Sequence, residues 1–208
     1  MNFSKFLLLD GSLILVGILF LLILQGGKEK FSFFGNLNSN KMQDQSSITI
    51  PQLKELLELE LLARKEGSGI EFESLIGLWK FVSVWKKEVD ENDFIASSLL
   101  RLFSASLELR KDELNKEFLR FDITNFIQFG TLVISFIGSG ELKGSQPLLP
   151  FFFERIELKL GNTVLINRIL DVPALKNRPF FALIGMEENG KWLAARGRGG
   201  GLALWLKD

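Results

Sequence analysis

The sequence contains no cysteine, no histidine and no tyrosine among its 208 residues. Without cysteine, the chain has neither a disulfide nor a thiolate nucleophile. Without histidine, it lacks the commonest general base, the commonest metal ligand and every histidine-dependent catalytic triad. Only carboxylates, lysine, serine and threonine remain as candidate catalysts, and no two carboxylates stand out in the sequence as an acid–base couple. We therefore expect that the protein is not an enzyme and that it holds no metal or cofactor.

The chain also lacks an excess of charge of either sign. Lysine and arginine total 25, aspartate and glutamate total 25, and the basic residues form no stripe interleaved with aromatic ones. Because nucleic-acid binding needs several cations that neutralise phosphates, nucleic acid is not an expected partner. Phenylalanine is abundant, with 20 copies against four tryptophans. A core rich in phenylalanine suits a barrel or a sandwich, and it suits equally a cavity for an apolar ligand.

A long apolar run lies near the start of the sequence. Residues 6–24 are almost wholly apolar and are interrupted only at positions 10–12. As a helix that rises about 1.5 Å per residue, this run approaches the roughly 30 Å hydrocarbon thickness of a bilayer. We predict a single membrane-spanning anchor over residues 1–27. The alternative is a cleaved signal peptide, which the length of the run and the poor cleavage site at residues 25–28 disfavour.

The next segment, residues 28–48, is rich in glycine, asparagine, serine and glutamine, which predicts a flexible linker. One lysine, Lys5, precedes the apolar run, whereas three follow it. Those three are Lys28, Lys30 and Lys41. Because positive charge is enriched on the cytoplasmic side of membrane spans, this difference predicts a cytoplasmic globular part.

A helix is predicted at the start of the domain that spans residues 49–208. Thr49 suits the cap, Pro51 suits the first turn, and Gln52 stands three residues after the cap, as in a capping box. Leucines then follow at helical spacing. They are Leu53, Leu56, Leu57 and Leu61. The Gly-Ser-Gly sequence at residues 67–69 ends the helix, which we expect to lie over one end or flank of a barrel.

Nine runs of alternating or β-branched apolar residues, separated by glycine, asparagine and proline, predict strands. They cover residues 77–86, 99–110, 118–129, 131–137, 151–160, 163–170, 180–186, 191–195 and 202–206. Asn189 and Gly190 form the strongest hairpin signal. Short segments of this kind predict an antiparallel sheet that curls or closes, and eight or nine strands suffice for a small barrel. The predicted fold class is therefore mainly β, with one helix before the barrel.

Two side chains near the expected ends of the barrel are candidate site residues. Trp79 opens the first strand, where a tryptophan can plug the closed end while its indole nitrogen finds a partner. The alternative is an ordinary core tryptophan. Arg196 could lie across that indole in a cation–π contact, or it could form a solvated basic turn together with Arg198. The glycine-rich residues 197–201 do not predict a phosphate loop, because no helix follows them.

Asn125 interrupts the apolar face of the strand predicted over residues 118–129. A buried amide must be hydrogen-bonded, so Asn125 is either a structural tie or a polar contact for a ligand, and we favour the tie. The side chains predicted to line a ligand site are Trp79, Phe81, Phe121 and Asn125, with Arg196 at the closed end.

Four motifs after the leucine-rich helix carry a family resemblance. They are Gly77-Leu-Trp-Lys-Phe81, Phe121-Asp-Ile-Thr-Asn125, Phe153-Glu-Arg-Ile-Glu-Leu158 and Arg196-Gly-Arg-Gly-Gly-Gly-Leu-Ala-Leu204. With them, residues 53–207 resemble the plastid lipid-associated protein family, also called fibrillins, of cyanobacteria and chloroplasts. The resemblance implies a lipocalin-like barrel that binds lipids or isoprenoid quinones and pigments at photosynthetic membranes. The chain departs from the family in its amino-terminal apolar run and in lacking an acidic segment before the terminal Arg-Gly.

The leading hypothesis is a lipocalin-like barrel that is tethered to a membrane and binds a lipid or isoprenoid, at a cyanobacterial thylakoid by the resemblance. A second hypothesis is a filled barrel that acts as a non-catalytic assembly or structural subunit of a photosynthetic membrane complex. A cavity would favour the first, whereas a packed interior and an exposed apolar patch would favour the second. A third, an enzyme acting on lipids, would need two carboxyl groups that converge in a pocket.

Overall fold

The computed structural model describes residues 49–85, 104–112, 119–144, 147–187 and 189–208. The predicted anchor and linker lie outside these residues, as do the first five residues of the strand predicted over 99–110. The helices are α1 (Leu53–Glu66), α2 (Phe72–Leu75) and the 3-10 turn η1 (Leu175–Asn177). The strands are β1 (Gly77–Trp85), β2 (Ser106–Lys111), β3 (Arg120–Phe129), β4 (Leu132–Glu141), β5 (Leu148–Leu160), β6 (Thr163–Ile169), β7 (Phe180–Met186), β8 (Trp192–Gly197) and β9 (Leu202–Lys207).

The nine strands form one antiparallel sheet, which confirms the mainly β prediction. Their order is β4-β3-β2-β1-β9-β8-β7-β5-β6, and β4 also pairs with β5. That additional pairing joins eight strands into a closed ring, whereas β6 lies beside the far half of β5. The ring therefore has an inner face, an outer face and two ends.

The pairing of β4 with β5 requires a glycine. The register of the two strands shifts between Ile137 and Gly138. A Cβ atom at Gly138 would lie 1.9 Å from the carbonyl oxygen of Phe152, so no larger residue fits there unless the strands separate. Gly138 thus permits the close backbone approach at which the ring closes.

Helix α1 begins one turn later than the sequence predicts. Gln52, rather than Thr49, is the N-cap, and it forms a reciprocal capping box with Glu55. The backbone N–H of Gln52 donates to Oε2 of Glu55 at 2.8 Å. The predicted cap was wrong because this Gln–Glu pair satisfies the free N–H groups of the first turn, so Thr49 and Pro51 precede the helix.

The two faces of the ring are both covered by apolar side chains. On β8, Leu193 and Ala195 belong to the inner cluster, whereas Trp192 and Ala194 belong to an outer cluster with Leu56 of α1. Helix α1 therefore packs on the flank of the ring, against the outer face of β7, β8 and β9. This is one of the two placements that the sequence predicted. Both faces of these strands contribute hydrophobic stabilisation.

Candidate functional site: the interior of the ring

One end of the ring is closed by the short helix α2. Phe72 of this helix stacks on Phe121 of β3, with ring centroids 4.2 Å apart. Trp79 is completely buried, and its indole Nε1–H donates to the carbonyl oxygen of Leu75 at 2.8 Å. The expectation that the indole nitrogen finds a partner at the closed end is therefore confirmed. Packing and a hydrogen bond together fix the floor of the interior.

The cation beside Trp79 is a lysine, not the arginine that the sequence suggested. The Nζ atom of Lys207 lies 5.0 Å from the centroid of the Trp79 ring and donates to the carbonyl oxygen of Ser74 at 3.1 Å. Gly77 makes room for this lysine, because a Cβ atom there would lie 2.8 Å from Cε of Lys207. Lys207 of β9 thus makes the cation–π contact that was one of the two alternatives for Arg196.

Arg196 lies on the outer face, where it ties β8 to helix α1. Its Nε and Nη2 atoms donate to the two carboxylate oxygens of Glu60, at 2.6 and 2.5 Å, and Nη1 donates to the carbonyl oxygen of Gly200 at 2.6 Å. The prediction that Arg196 lies at the closed end was wrong, because its side chain shares the face of Trp192 and Ala194. It is a structural clamp of bidentate geometry.

The carboxyl group of Glu60 receives a second arginine. Nη2 of Arg64, one turn further along α1, donates to Oε1 of Glu60 at 2.7 Å. Burial raises the pKa of Glu60, but the hydrogen bonds from Arg196 and Arg64 outweigh burial and lower it overall. Glu60 is therefore held as a carboxylate in the contact between α1 and the ring.

The other half of the interior has a wall in which several half-buried side chains stand among buried ones. Phe81 of β1 pairs with Trp205, and Asn125 of β3 pairs with Leu107 on one side and Phe136 on the other. Trp205, Leu107 and Phe136 are buried. Because directly paired residues share a face of the sheet, Phe81 and Asn125 point inwards. Half-buried neighbours on β4 and β5 continue this wall. They are Ile134, Phe153, Ile156 and Leu158.

The structural tie that we favoured for the amide of Asn125 is not made within the described part of the chain. Among the residues that the structure describes, its side chain makes no hydrogen bond. The inward neighbours of Asn125 on β2 and β4 are Leu107 and Phe136, whose side chains offer no acceptor or donor. A half-buried amide without a partner among these neighbours can bond to a ligand or to water.

The five predicted site residues therefore fall into three groups. Trp79 and Phe121 are wholly buried in the half beside α2, which we call the closed half. Phe81 and Asn125 lie in the half away from α2, which we call the open half, and Arg196 lies outside the ring. Sequence reasoning did not name the wall residues of β4 and β5, although Ile156 and Leu158 share the apolar face that alternation predicts. Pairing with β4 decides that this face points inwards, and that pairing cannot be read from one strand.

A groove of about 450 Å³ lies on the outside, between the start of α1 and Trp192. Its floor is apolar, with Leu59 and Leu62, but Glu55 and Glu58 line it as well. The sheet separates it from the ring interior, because Trp192 belongs to the outer cluster. Two carboxylates make this groove less suited than the interior to an uncharged apolar ligand.

No family model matches the chain, and no curated protein is significantly similar to it. The resemblance to the fibrillins therefore depends on the four motifs in the sequence. Within the described residues, no helix combines the length and the apolar character needed to cross a bilayer. The anchor predicted over residues 1–27 lies outside those residues and stays a prediction.

Proposed function

We propose that the protein binds an apolar molecule of the lipid or isoprenoid class in the open half of the ring. The observation that carries the proposal is the contrast between a wholly buried aromatic floor and a half-buried apolar wall above it. An apolar wall with few polar groups suits a hydrophobic ligand. Each Å² of apolar surface that the ligand covers contributes about 25 cal/mol to binding.

The proposal gives the polar role to Asn125. An amide offers one acceptor and two donors, so it can bond to a quinone carbonyl, a hydroxyl or an ester. Phe81 and Phe153 flank the space with aromatic rings, which bury large apolar areas against isoprenoid or acyl chains. The function is passive, because the ligand is desolvated and oriented rather than transformed.

The finer fold and the location are part of the same proposal. A ring of eight antiparallel strands with one closed end is compatible with the lipocalin-like barrel that the fibrillin resemblance implies. We propose that the apolar run of residues 6–24 tethers this domain to a photosynthetic membrane, with the domain on the cytoplasmic side. Such a tether would keep the binding site close to a membrane that contains its ligands.

A second candidate is a non-catalytic assembly subunit of a membrane complex. The closed half favours it, because Trp79, Phe121 and Phe151 expose less than 2 % of their surface there. In that case the wall would be buried against a protein rather than a small molecule. The two candidates differ in whether a purified chain retains a lipid in stoichiometric amount.

The test compares two variants at neighbouring positions of β4. The full chain, purified in a mild detergent, is incubated with lipids from a photosynthetic membrane, and the retained molecules are identified by native mass spectrometry. Ile134→Gln puts an amide on the inner wall and should lower the occupancy. Val133→Gln, on the outer face beside Lys159, is the matched control and should leave it unchanged. An unoccupied wild-type chain, with no thermal shift from quinones, carotenoids or lipids, would favour the assembly subunit.

A further inference from the structure

An exposed aliphatic surface lies along β6 and the loop that follows it. Every residue of β6 is exposed, and Ile169 and Leu175 expose 83 % and 75 % of their surfaces. We call this the β6 surface, and its large apolar members are Val164, Leu165, Ile169, Val172 and Leu175. Contiguous exposed apolar residues in such number mark an interaction site on most proteins.

The β6 surface faces away from the ring interior. Val164 pairs with Lys159, and Ile169 pairs with Arg155, so these aliphatic side chains share a face with two cations of β5. Glu157 lies between the two cations on the same strand, with Lys159 Nζ at 2.9 Å and Arg155 Nε at 3.5 Å. Aliphatic and basic side chains therefore alternate on one outer face.

Arginine side chains hold the loop in its place. Arg198 donates from Nη1 to the carbonyl oxygen of Arg178 at 2.9 Å and from Nη2 to that of Lys176 at 3.0 Å. The guanidinium carbon of Arg178 in turn lies 4.3 Å from the ring centroid of Phe152. These contacts fix η1 so that Leu175 and Lys176 remain exposed. The exposure of Leu175 is thus built into the fold.

The β6 surface has an excess of positive charge. Arg168 pairs with the inner-wall residue Ile156, so it lies on the opposite face of β6 and is not counted. Four other cations and three carboxylates lie within residues 154–178, and Arg198 beside the loop is a fifth cation. The whole chain has a formal net charge of zero, so the net charge of +2 is local to this surface. Among the described residues, Lys176 has no carboxylate partner. A second copy of this chain would bring the same cations against each other, which disfavours self-association here.

We propose that the β6 surface docks on a bilayer that contains anionic lipids. Exposed aliphatic side chains enter the boundary between headgroups and acyl chains, and neighbouring cations are attracted to the anionic headgroups. Docking is separate from the anchor predicted at residues 1–27, because it concerns which flank of the domain meets the membrane. It does not depend on ligand binding in the ring, which lies on the other face of the sheet.

The absence of cysteine permits a test on the full chain. Three single-substitution variants, Ile169→Cys, Leu175→Cys and Leu61→Cys, are each labelled with an environment-sensitive fluorophore. Each labelled chain is reconstituted into vesicles that contain spin-labelled phosphatidylcholine as quencher. Leu61, on α1, is the matched control because it is an aliphatic residue with 68 % exposure on another flank. In vesicles of phosphatidylcholine and phosphatidylglycerol, the labels at 169 and 175 should be quenched and the label at 61 should not.

Charge is tested by neutralising the unpaired cation Lys176. Lys176→Gln should shift the equilibrium between docked and free surface about five-fold, since each basic residue near an anionic membrane contributes about this factor. Vesicles of phosphatidylcholine alone should give weaker quenching for the labelled chain that retains Lys176. Equal quenching at all three labels, or none at 169 and 175, would overturn the proposal. A fluorescence change that reports burial of the labels, without quenching by the spin-labelled lipid, would also overturn the proposal and indicate a protein partner. This outcome is independent of whether the ring retains a ligand in native mass spectrometry.

Discussion

The closed and the open half of the ring use the same strands in different ways. In the closed half, β1 and β3 contribute Trp79 and Phe121, which are wholly buried, and the polar atom of Trp79 is hydrogen-bonded to Leu75. In the open half, the same strands contribute Phe81 and Asn125, which are half-buried. A half-buried side chain contributes less to folding and retains surface for a ligand. The two halves thus separate stability from the proposed binding.

Trp79→Ala should give the largest effect on stability. Removing a wholly buried tryptophan from the floor leaves a cavity and an unpaired carbonyl at Leu75, and we expect a loss of about 3–5 kcal/mol in the free energy of unfolding. Chemical denaturation of the full chain in detergent, followed by tryptophan fluorescence, measures it. Trp79→Phe is the control, since it should recover most of the packing but not the hydrogen bond. A loss no larger than that of Phe81→Ala would contradict the division into two halves.

The division into strands could be predicted from the sequence, but the closure of the ring could not. Alternation marks β3 and β5 clearly, because polar and apolar residues take turns along them. An open sheet and a closed one have the same alternation, so the pairing of β4 with β5 leaves no such signal. The register shift at Gly138 depends on the backbone of Phe152, which belongs to another strand.

The site residues were harder to predict because both faces of several strands are apolar. On β8, Trp192 and Ala194 contact the outer cluster while Leu193 and Ala195 contact the inner one. Alternation therefore gives no direction for Arg196, whose partner Glu60 lies in a helix far away along the chain. The role of Asn125 was hard to predict for a related reason, since the polarity of its neighbours depends on strand register.

Arg196→Met should have the second-largest effect, although it lies outside both halves. The substitution keeps an unbranched apolar stem but leaves Glu60, which is mostly buried, with Arg64 as its remaining partner. Breaking one partner of such a pair typically costs about 3 kcal/mol or more. Arg198→Met is the matched control in the same turn, because its hydrogen bonds are exposed ones to carbonyl oxygens. In denaturant unfolding, the free energy of unfolding of Arg196→Met should be clearly lower than that of Arg198→Met.

The contact between Arg196 and Glu60 should make the stability of the protein depend on pH. The pKa of Glu60 is lowered in the folded state, so its stabilising contribution is present above its usual value of 4.5 and is lost as the pH falls through the folded-state pKa. Unfolding curves of the wild type and Glu60→Gln, taken between neutral pH and acid, measure this contribution. The stability difference between them should shrink below about pH 4.5. A difference that stays constant would mean that Glu60 has an ordinary pKa.

Phe81→Ala should separate stability from binding. Because Phe81 is half-buried, its truncation should cost about 1–2 kcal/mol, less than the 3–5 kcal/mol of a fully buried aromatic residue. The ligand, in contrast, would lose an aromatic contact on the wall, so its occupancy in native mass spectrometry should fall clearly. Leu61→Ala on α1 is the control, and it should change neither quantity. Loss of stability with unchanged occupancy would remove Phe81 from the proposed site.

Asn125→Leu should have the smallest effect on stability and a specific effect on binding. The amide makes no hydrogen bond among the described residues, so replacing it by an apolar group of similar size loses no internal bond and should change the free energy of unfolding by less than about 1 kcal/mol. Ligands with a polar head should lose occupancy relative to pure hydrocarbons, because the amide is the polar group of the wall. Competition between a quinone and a carotene hydrocarbon for the wild type and the variant measures this preference. If the variant instead loses several kcal/mol of stability, Asn125 is a structural tie after all, and the open half is stabilised by the same hydrogen bonding as the closed one.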